Sequence, residues 1–353
     1  MVQLASGRQP GITDVARLAG VSVTTVSRVL NGASQVSAHR RSRVLAAIEE
    51  LGYRPNEAAR ALVRGRQRMV GVLAADTDRY GFASSIRGIE EAARRRNILV
   101  TITVVESEDP DHIRSALDLV LSQPLMGIIG VAFEASVSNA LDRLPATMPV
   151  VAVTLAEDGH PDLARTWIDD EQGGFIATTH LLDAGHETVH HLGFPGIAHR
   201  GRTAGYRRAL EARSARVPDM VPCGWAPQDA RRATRESLDG SDVTAVFCFN
   251  DDMAMGAMRA FHELGRRVPE DVSVVGFDDM PLSAVWTPSL SSVRIDFPEL
   301  GRSAFEMLVG MHDGRADRRA VVQLPPLFVQ RESTAPPRGR VLAPEALELS
   351  PRG

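Results

Sequence analysis

The side chains best suited to recognition chemistry fall in two groups. In the first, Arg28 stands one helical turn beyond Thr24 in the stretch VSVTTVSRVL. A guanidinium can pair with guanine in bidentate fashion, and a threonine can donate, accept or touch a thymine methyl. Ser22, Ser27 and Asn31 lie close by, with short polar groups that suit phosphate contacts, which position a protein without reading sequence. In the second group, Asn250 and Asp278 each follow an apolar run, Thr244–Phe249 and Ser273–Phe277, while Arg202 opens a helical stretch to Ala212. A guanidinium fork holds two neighbouring hydroxyls or a carboxylate. An aspartate accepts two hydroxyl hydrogens. A plainer use is also open: Asn250 as an N-cap, and Asp278 and Asp279 as caps of the following turn. Trp225 and Phe297 can serve as flat plates, and Tyr80 and Phe82 are placed to close a cleft. An apolar ring beside planar polar groups suits a sugar, which has a C–H face and a rim of hydroxyls.

Two kinds of architecture must position these groups. The first sixty residues read as short helices. Ile12–Ala19 has helical apolar spacing and stops at Gly20. Ser22 is a good N-cap for Val23–Leu30, whose inner face is Val26, Val29 and Leu30. Ser37 caps a third helix running to Leu51, with Gly52 as its stop. Two helices joined by a tight glycine turn form a helix-turn-helix pattern. After Pro55, Asn56 can cap a fourth helix over about Glu57–Val63, which is too short to stand alone in water. It needs DNA or a twin helix from a second subunit.

From Met69 the pattern becomes strand–helix alternation. Strand-like runs are Met69–Ala74, Ile98–Val105, Met126–Val131, Pro149–Thr154, Thr188–Gly193, Thr244–Phe249, Asp271–Phe277 and Leu290–Ile295. Helical runs include Phe82–Arg96, Asp170–Ala184, Arg202–Ala212 and Asp252–Leu264. Such alternation implies parallel sheets covered by helices. About 260 residues exceed one such sheet, so two doubly wound lobes are expected, with ligands beyond the carboxyl ends of the strands.

Charge divides the chain in the same place. Residues 1–68 hold 11 arginines against four acids, while the rest holds 29 against 40. A basic end on an acidic body suggests that one end meets phosphate and the body does not. All 40 basic residues are arginine. Cys223 and Cys248 have no metal or redox spacing and are expected to pack as small apolar groups. The ten histidines form no metal signature, and no cofactor is expected. No apolar run approaches the ~18 residues needed to span a bilayer. Met1–Pro10 is polar and lacks the apolar core of a signal peptide, so a cytoplasmic location is expected.

ITDVARLAGVSVTTVSRVLNG (12–32) and VSAHRRSRVLAAIEELGYRPNEAARAL (36–62) resemble the lac/galactose-repressor family of bacterial regulators. The resemblance resumes at RTAGYRRAL (202–210), FNDDMAMGAMRA (249–260), VSVVGFDD (272–279) and DFPELG (296–301). It implies an all-α helix-turn-helix headpiece and an α/β, two-lobed sensor resembling periplasmic binding proteins. In such headpieces the second helix enters the major groove, so Val23, Thr24 and Arg28 are expected at base edges, with Thr13 also contacting DNA. The family pairs its hinge helices in the minor groove and wedges a leucine into the central base step. By that resemblance Asn56, Ala59 and Leu62 contact DNA. Arg202, Asn250 and Asp278 match effector-binding positions, and Trp225 matches an aromatic carried by a galactoside-responsive relative. Thr154 and the loops AADTDRYGF and AEDGHPDLA depart from the common pattern.

The expected organisation is a headpiece at 1–55, a hinge at 56–68, a sensor and dimerisation domain at 69–332, and a fraying Pro- and Arg-rich tail at 333–353. The expected function is sugar-controlled repression by a homodimer on a near-palindromic double-stranded operator, with no membrane association. A purine or a protein corepressor is the alternative. A sugar-binding transport protein is weighed against by the basic headpiece. An enzyme is weighed against by the lack of a nucleophile elbow, metal set or phosphate loop.

Overall fold

The computed structural model describes residues 10–30, 35–53, 69–157, 159–195 and 200–338. The chain divides into two compact units between residues 67 and 68. The expected hinge contacts Asn56, Ala59 and Leu62, and Asn31 at the end of the second helix, lie outside the described residues.

The first unit is built on α1 (Ile12–Ala19), α2 (Val23–Leu30) and α3 (Ala38–Leu51). Gly20 and Gly52 end α1 and α3 in the left-handed conformation, which glycine adopts without a Cβ clash. Val15, Ala19, Val26, Val29, Val44 and Ala47 make one small buried cluster. Asp14 reaches back from the first turn of α1 to accept the Gly11 N–H at 2.9 Å. The Ser22 hydroxyl accepts the Thr25 N–H at 3.2 Å, so its capping role is realised.

The second unit has two lobes, each a six-stranded sheet. The first sheet comprises β1 (Met69–Ala74), β2 (Leu99–Val104), β3 (Gly127–Val131), β4 (Val150–Thr154), β5 (Ala164–Ile168) and β11 (Val321–Leu324). Their order is β11-β5-β4-β3-β1-β2, all parallel. The second comprises β6 (His190–Gly193), β7 (Val221–Pro222), β8 (Ala245–Cys248), β9 (Ser273–Asp278), β10 (Ser291–Arg294) and β12 (Leu327–Val329). Its order is β12-β10-β9-β8-β6-β7, parallel except for the β10–β12 pair. The central strands are buried along their whole length, as in β3 and β4, because helices cover both faces.

The helices of the first lobe are α4 (Tyr80–Arg95), α5 (Pro110–Leu121), α6 (Ala135–Leu141) and α11 (Phe297–His312). Those of the second are α7 (Asp170–Asp183), α8 (Arg200–Ala212), α9 (Pro227–Leu238) and α10 (Asp251–Glu263). The chain crosses between lobes after β5, after β10 and after β11. Aspartates cap the helices that follow the first two crossings: Asp169 accepts from Gln172 N, and Asp296 from Glu299 N. Asp170 and Phe297 therefore start helices at the junction between the lobes.

Two close helix contacts matter for the site. A Cβ on Gly174 of α7 would lie 2.1 Å from the Arg202 carbonyl oxygen, and one on Gly205 of α8 would lie 1.9 Å from the Glu171 carbonyl oxygen. On the other lobe, a Cβ on Gly88 or Gly301 would come within 2.0 Å of backbone oxygens of α11 and α4 respectively. These helices pack backbone to backbone.

One boundary is corrected. Residues 333–335 are not a frayed tail. Ser333 is fully buried, and its hydroxyl donates to the Val274 carbonyl and accepts the Ser291 N–H. The Ala335 carbonyl accepts from Ser273 and its N–H donates to the same hydroxyl. Prolines prevent a helix here but not hydrogen bonding at a sheet end. Among the described residues, no helix is long and apolar enough to cross a membrane, and no group of His, Cys, Asp or Glu could hold a metal ion.

Candidate functional site

In the headpiece, Thr13, Ser22, Val23, Thr24 and Arg28 are exposed and Ser27 is half-buried. Thr24 and Arg28 lie one turn apart on the face of α2 opposite the buried Val26 and Val29. Val23 is 41% exposed although it is apolar, which costs little if its surface meets a base methyl. Ser22 spends its hydroxyl on the helix start, and Thr24 Oγ1 donates to it at 3.2 Å.

A cleft lies between the lobes of the second unit. It brings together all seven residues read from the sequence: Tyr80, Phe82, Arg202, Trp225, Asn250, Asp278 and Phe297. Asn250 and Asp278 arrive there because β8 and β9 end side by side. Arg202 comes from the first turn of α8, as its third residue, and Phe297 from the start of α11 at a crossing.

Arg202 is the most constrained of these. Its Nε donates to Asp170 at 3.0 Å, and its Nη1 donates to the Phe249 carbonyl at 2.7 Å. Its Nη2 stands 3.5 Å from Asp278 Oδ1. The guanidinium carbon lies 3.8 Å from the Phe277 ring centroid and 4.5 Å from that of Phe249. Two carboxylates thus face one buried cation. Burial pushes the Asp278 carboxyl well above the ordinary range; Arg202 opposes this, and the nearby aspartates reinforce it.

The backbone around Asp278 is held in an unusual shape. Asp278 and Asp279 have φ of 98° and 51°, the region that disfavours ordinary side chains. The fully buried Asp251 fixes the loop, accepting from Met280 N, the Ser283 hydroxyl and the Ser292 hydroxyl at 2.6–2.7 Å. Burial raises the Asp251 carboxyl to about 7, against those three hydrogen bonds. Asp279 is not a ligand candidate, since Arg294 and Arg331 both pair with it at 2.6 Å. Asn250 realises its plainer use as well: its Oδ1 accepts the Met253 N–H at 2.8 Å while the residue lines the cleft.

The sequence reading missed Arg79, Phe133, Leu155 and Asp252, which also line the cleft. Asp252 follows Asn250 by two residues, so strand-end reasoning would have found it. Desolvation raises its pKa. Phe133 packs against Phe82 and Phe297 at 5.0 and 6.0 Å between centroids. Trp225 is not the open plate expected. The Arg79 guanidinium lies over it at 4.8 Å, and Phe194 packs against it at 4.7 Å.

The expected family is independently matched. The description "Bacterial regulatory proteins, lacI family" fits residues 11–56, and "Periplasmic binding protein-like domain" fits 178–334. The HTH-type transcriptional repressors PurR of Pasteurella multocida and Vibrio campbellii are 31% and 32% identical over 330 and 332 residues, covering 91% of this chain and 98% of theirs. The lac repressor dimer bound to operator and the anti-inducer ONPF superposes with a TM-score of 0.82 at 29% identity, over 93% of this chain and 100% of that one. A transcriptional regulator CelR–cellobiose complex gives 0.68 at 29% identity, over 92% and 99%. The chain belongs to the lacI family of bacterial regulatory proteins. It is a DNA-binding transcriptional repressor with a small-molecule sensor domain, not an enzyme.

Proposed function

We propose that a small neutral sugar in the cleft controls operator binding by a homodimer of this repressor. The observation that carries the reading is charge compensation around the two cleft arginines. Arg202 faces Asp170 and Asp278, and Arg79 pairs with Asp76 and Glu134 at 3.0 and 2.8 Å. Neither guanidinium has charge to spare for a phosphate or carboxylate. Asp252, Asp278 and Asn250 instead ask for hydroxyl hydrogens. The walls supply apolar rings for a sugar's C–H face.

The rings also bear on the purine alternative. Tyr80 meets Phe297 at 83° and Trp225 meets Phe249 at 84°, so these neighbours stand edge to face. A base would be served better by parallel plates. The purine reading keeps one specific support, the similarity to PurR repressors. A galactoside is the first sugar to try, since Trp225 matches an aromatic carried by a galactoside-responsive relative. A homodimer is supported by apolar groups left exposed: Leu99 and Ile102 on the edge strand β2, and Leu282, Val285 and Trp286 beyond β9. Action on DNA implies a cytoplasmic location.

The test is a titration. An operator selected in vitro from random DNA is bound by the full-length protein and followed by fluorescence anisotropy. Methyl galactosides, methyl glucosides, cellobiose, hypoxanthine and guanine are then added. A shift with one of the sugars and none with the purines is expected. A shift with the purines alone overturns the sugar reading.

A further inference from the structure

Arg79 spans the cleft. It is the residue before α4 in the first lobe and sits in the charged string DTDRY, which carries no periodic signal. Asp76 accepts its Nε at 3.0 Å, and Glu134 accepts its Nη1 at 2.8 Å. The guanidinium carbon is 4.8 Å from the Phe82 ring of its own lobe and 4.8 Å from the Trp225 ring of the other. Both distances lie inside the roughly 6 Å range of cation–π attraction. The anchors on Asp76 and Glu134 fix the plane of the group, because a guanidinium bonds in a rigid fork. Asp76 itself is firmly placed: its Oδ1 accepts the backbone N–H groups of Asp78 and Arg79 at 2.6 and 2.8 Å. Arg79 is therefore not a swinging surface arginine. It is a bridge that lines the cleft, with its Nε held by Asp76 and its Nη1 by Glu134.

We propose that Arg79 is a selectivity determinant of the effector cleft: it holds the Trp225 face against flat aromatic ligands and offers its remaining N–H edge to ligand oxygens. A ligand that must stack on Trp225 has to displace a guanidinium held by two carboxylates and two rings. A ligand with oxygen acceptors leaves that arrangement intact and gains a hydrogen bond. The second half of the proposal rests on the reading that the effector is hydroxylated; the first half does not.

The experiment separates the two halves. Full-length protein with Trp167→Phe and Trp286→Phe retains Trp225 as its only tryptophan, since the chain has three. Acrylamide quenching of Trp225 should rise at least about twofold in Arg79→Ala and in Arg79→Met, the latter keeping side-chain length; thermal melts check that both fold. Unchanged quenching in both overturns the proposal whatever the ligand. Calorimetry with methyl β-galactoside and 4-nitrophenyl β-galactoside then reads selectivity. Both variants should shift preference toward the nitrophenyl ligand by roughly 2- to 30-fold, the span of one cation–π contact. An unchanged preference overturns it. If neither glycoside binds wild type or variants, the sugar reading fails, and hypoxanthine decides: tighter binding to Arg79→Ala than to wild type supports the proposal, and equal binding overturns it.

Discussion

Replacing Gly174 with alanine should damage the effector site without substituting any cleft residue. The new Cβ would lie 2.1 Å from the Arg202 carbonyl oxygen and 2.8 Å from its carbonyl carbon, whereas ordinary contact begins at 3.4 Å. The obstacle is backbone, so no rotamer change relieves it. Helix α8 must move away from α7 by about 1.3 Å, the difference between contact and clash. Gly205 against Glu171 pinches the same pair of helices and gives α8 little room to tilt instead. The Arg202 Nη1 bond to the Phe249 carbonyl is 2.7 Å, and such a shift carries it out of hydrogen-bonding range. Overpacking of this kind costs about 1–3 kcal/mol of stability. Losing a placed, charged hydrogen-bond donor costs effector binding about 1.5–3 kcal/mol, or roughly 10- to 150-fold. The assay is calorimetry with the best ligand of the panel, beside a urea melt and operator anisotropy. A variant that melts like wild type and binds effector within about twofold of it would refute the backbone-contact argument.

The other predictions concern separate parts of the chain. Arg28→Ala should cost about 1–3 kcal/mol on the selected operator and relax preference at one base pair per half-site; equal loss on random DNA would assign Arg28 to phosphate instead. Leu62→Ala should lower operator affinity sharply while leaving effector affinity of the free protein unchanged, and intact operator affinity would make the hinge a passive linker. Asp278→Asn should weaken effector binding by at least about tenfold with operator binding intact. Because burial favours the protonated Asp278 and a hydroxyl donor favours its carboxylate, binding should release a proton and tighten as pH rises; calorimetry in buffers of different ionisation enthalpy reads this, and proton uptake contradicts it. His191 is fully buried and its pKa is lowered to about 4 by desolvation, so the unfolded chain binds a proton there that the folded chain refuses. Its contribution is present above the unfolded value near 6.5 and is lost as pH falls towards 4, about 3 kcal/mol in all. Urea melts of His191→Asn should lack that part of the slope.

The three described headpiece helices were legible to the residue: they begin after Ser22 and Ser37 and end before Gly20 and Gly52, although Ser37, unlike Ser22, makes no side-chain cap hydrogen bond. The strand Met69–Ala74 was legible to the same degree, but most others came out longer than observed. The apolar pattern does not stop where the ladder stops. Val189 and Phe249 are fully buried yet lie outside β6 and β8. Helix α4 starts at Tyr80, two residues before the apolar signal, because Asp76 caps the turn there. The seven cleft residues were legible because they sit at strand ends or in motifs of the family. Arg79 and Leu155 were not, since only the folded topology brings their loops opposite Trp225 and Arg202. The return of residues 297–324 to the first sheet had no local signature either, because strand β11 reads as an ordinary exposed segment.

That return has a consequence for how the chain is made. On the ribosome, β1 to β5 emerge early, but the face of α4 that meets α11 and the edge of β5 that meets β11 wait for the last sixty or so residues of the chain. Gly88 leaves no side chain of its own to cover the α4 side of that seam in the meantime. The nascent first lobe is thus an open sheet flank during most of synthesis, a template for pairing with other chains. A premature stop near residue 296 would not trim a periphery; it would deny the earliest-made lobe its closing helix and edge strand, while leaving the headpiece whole.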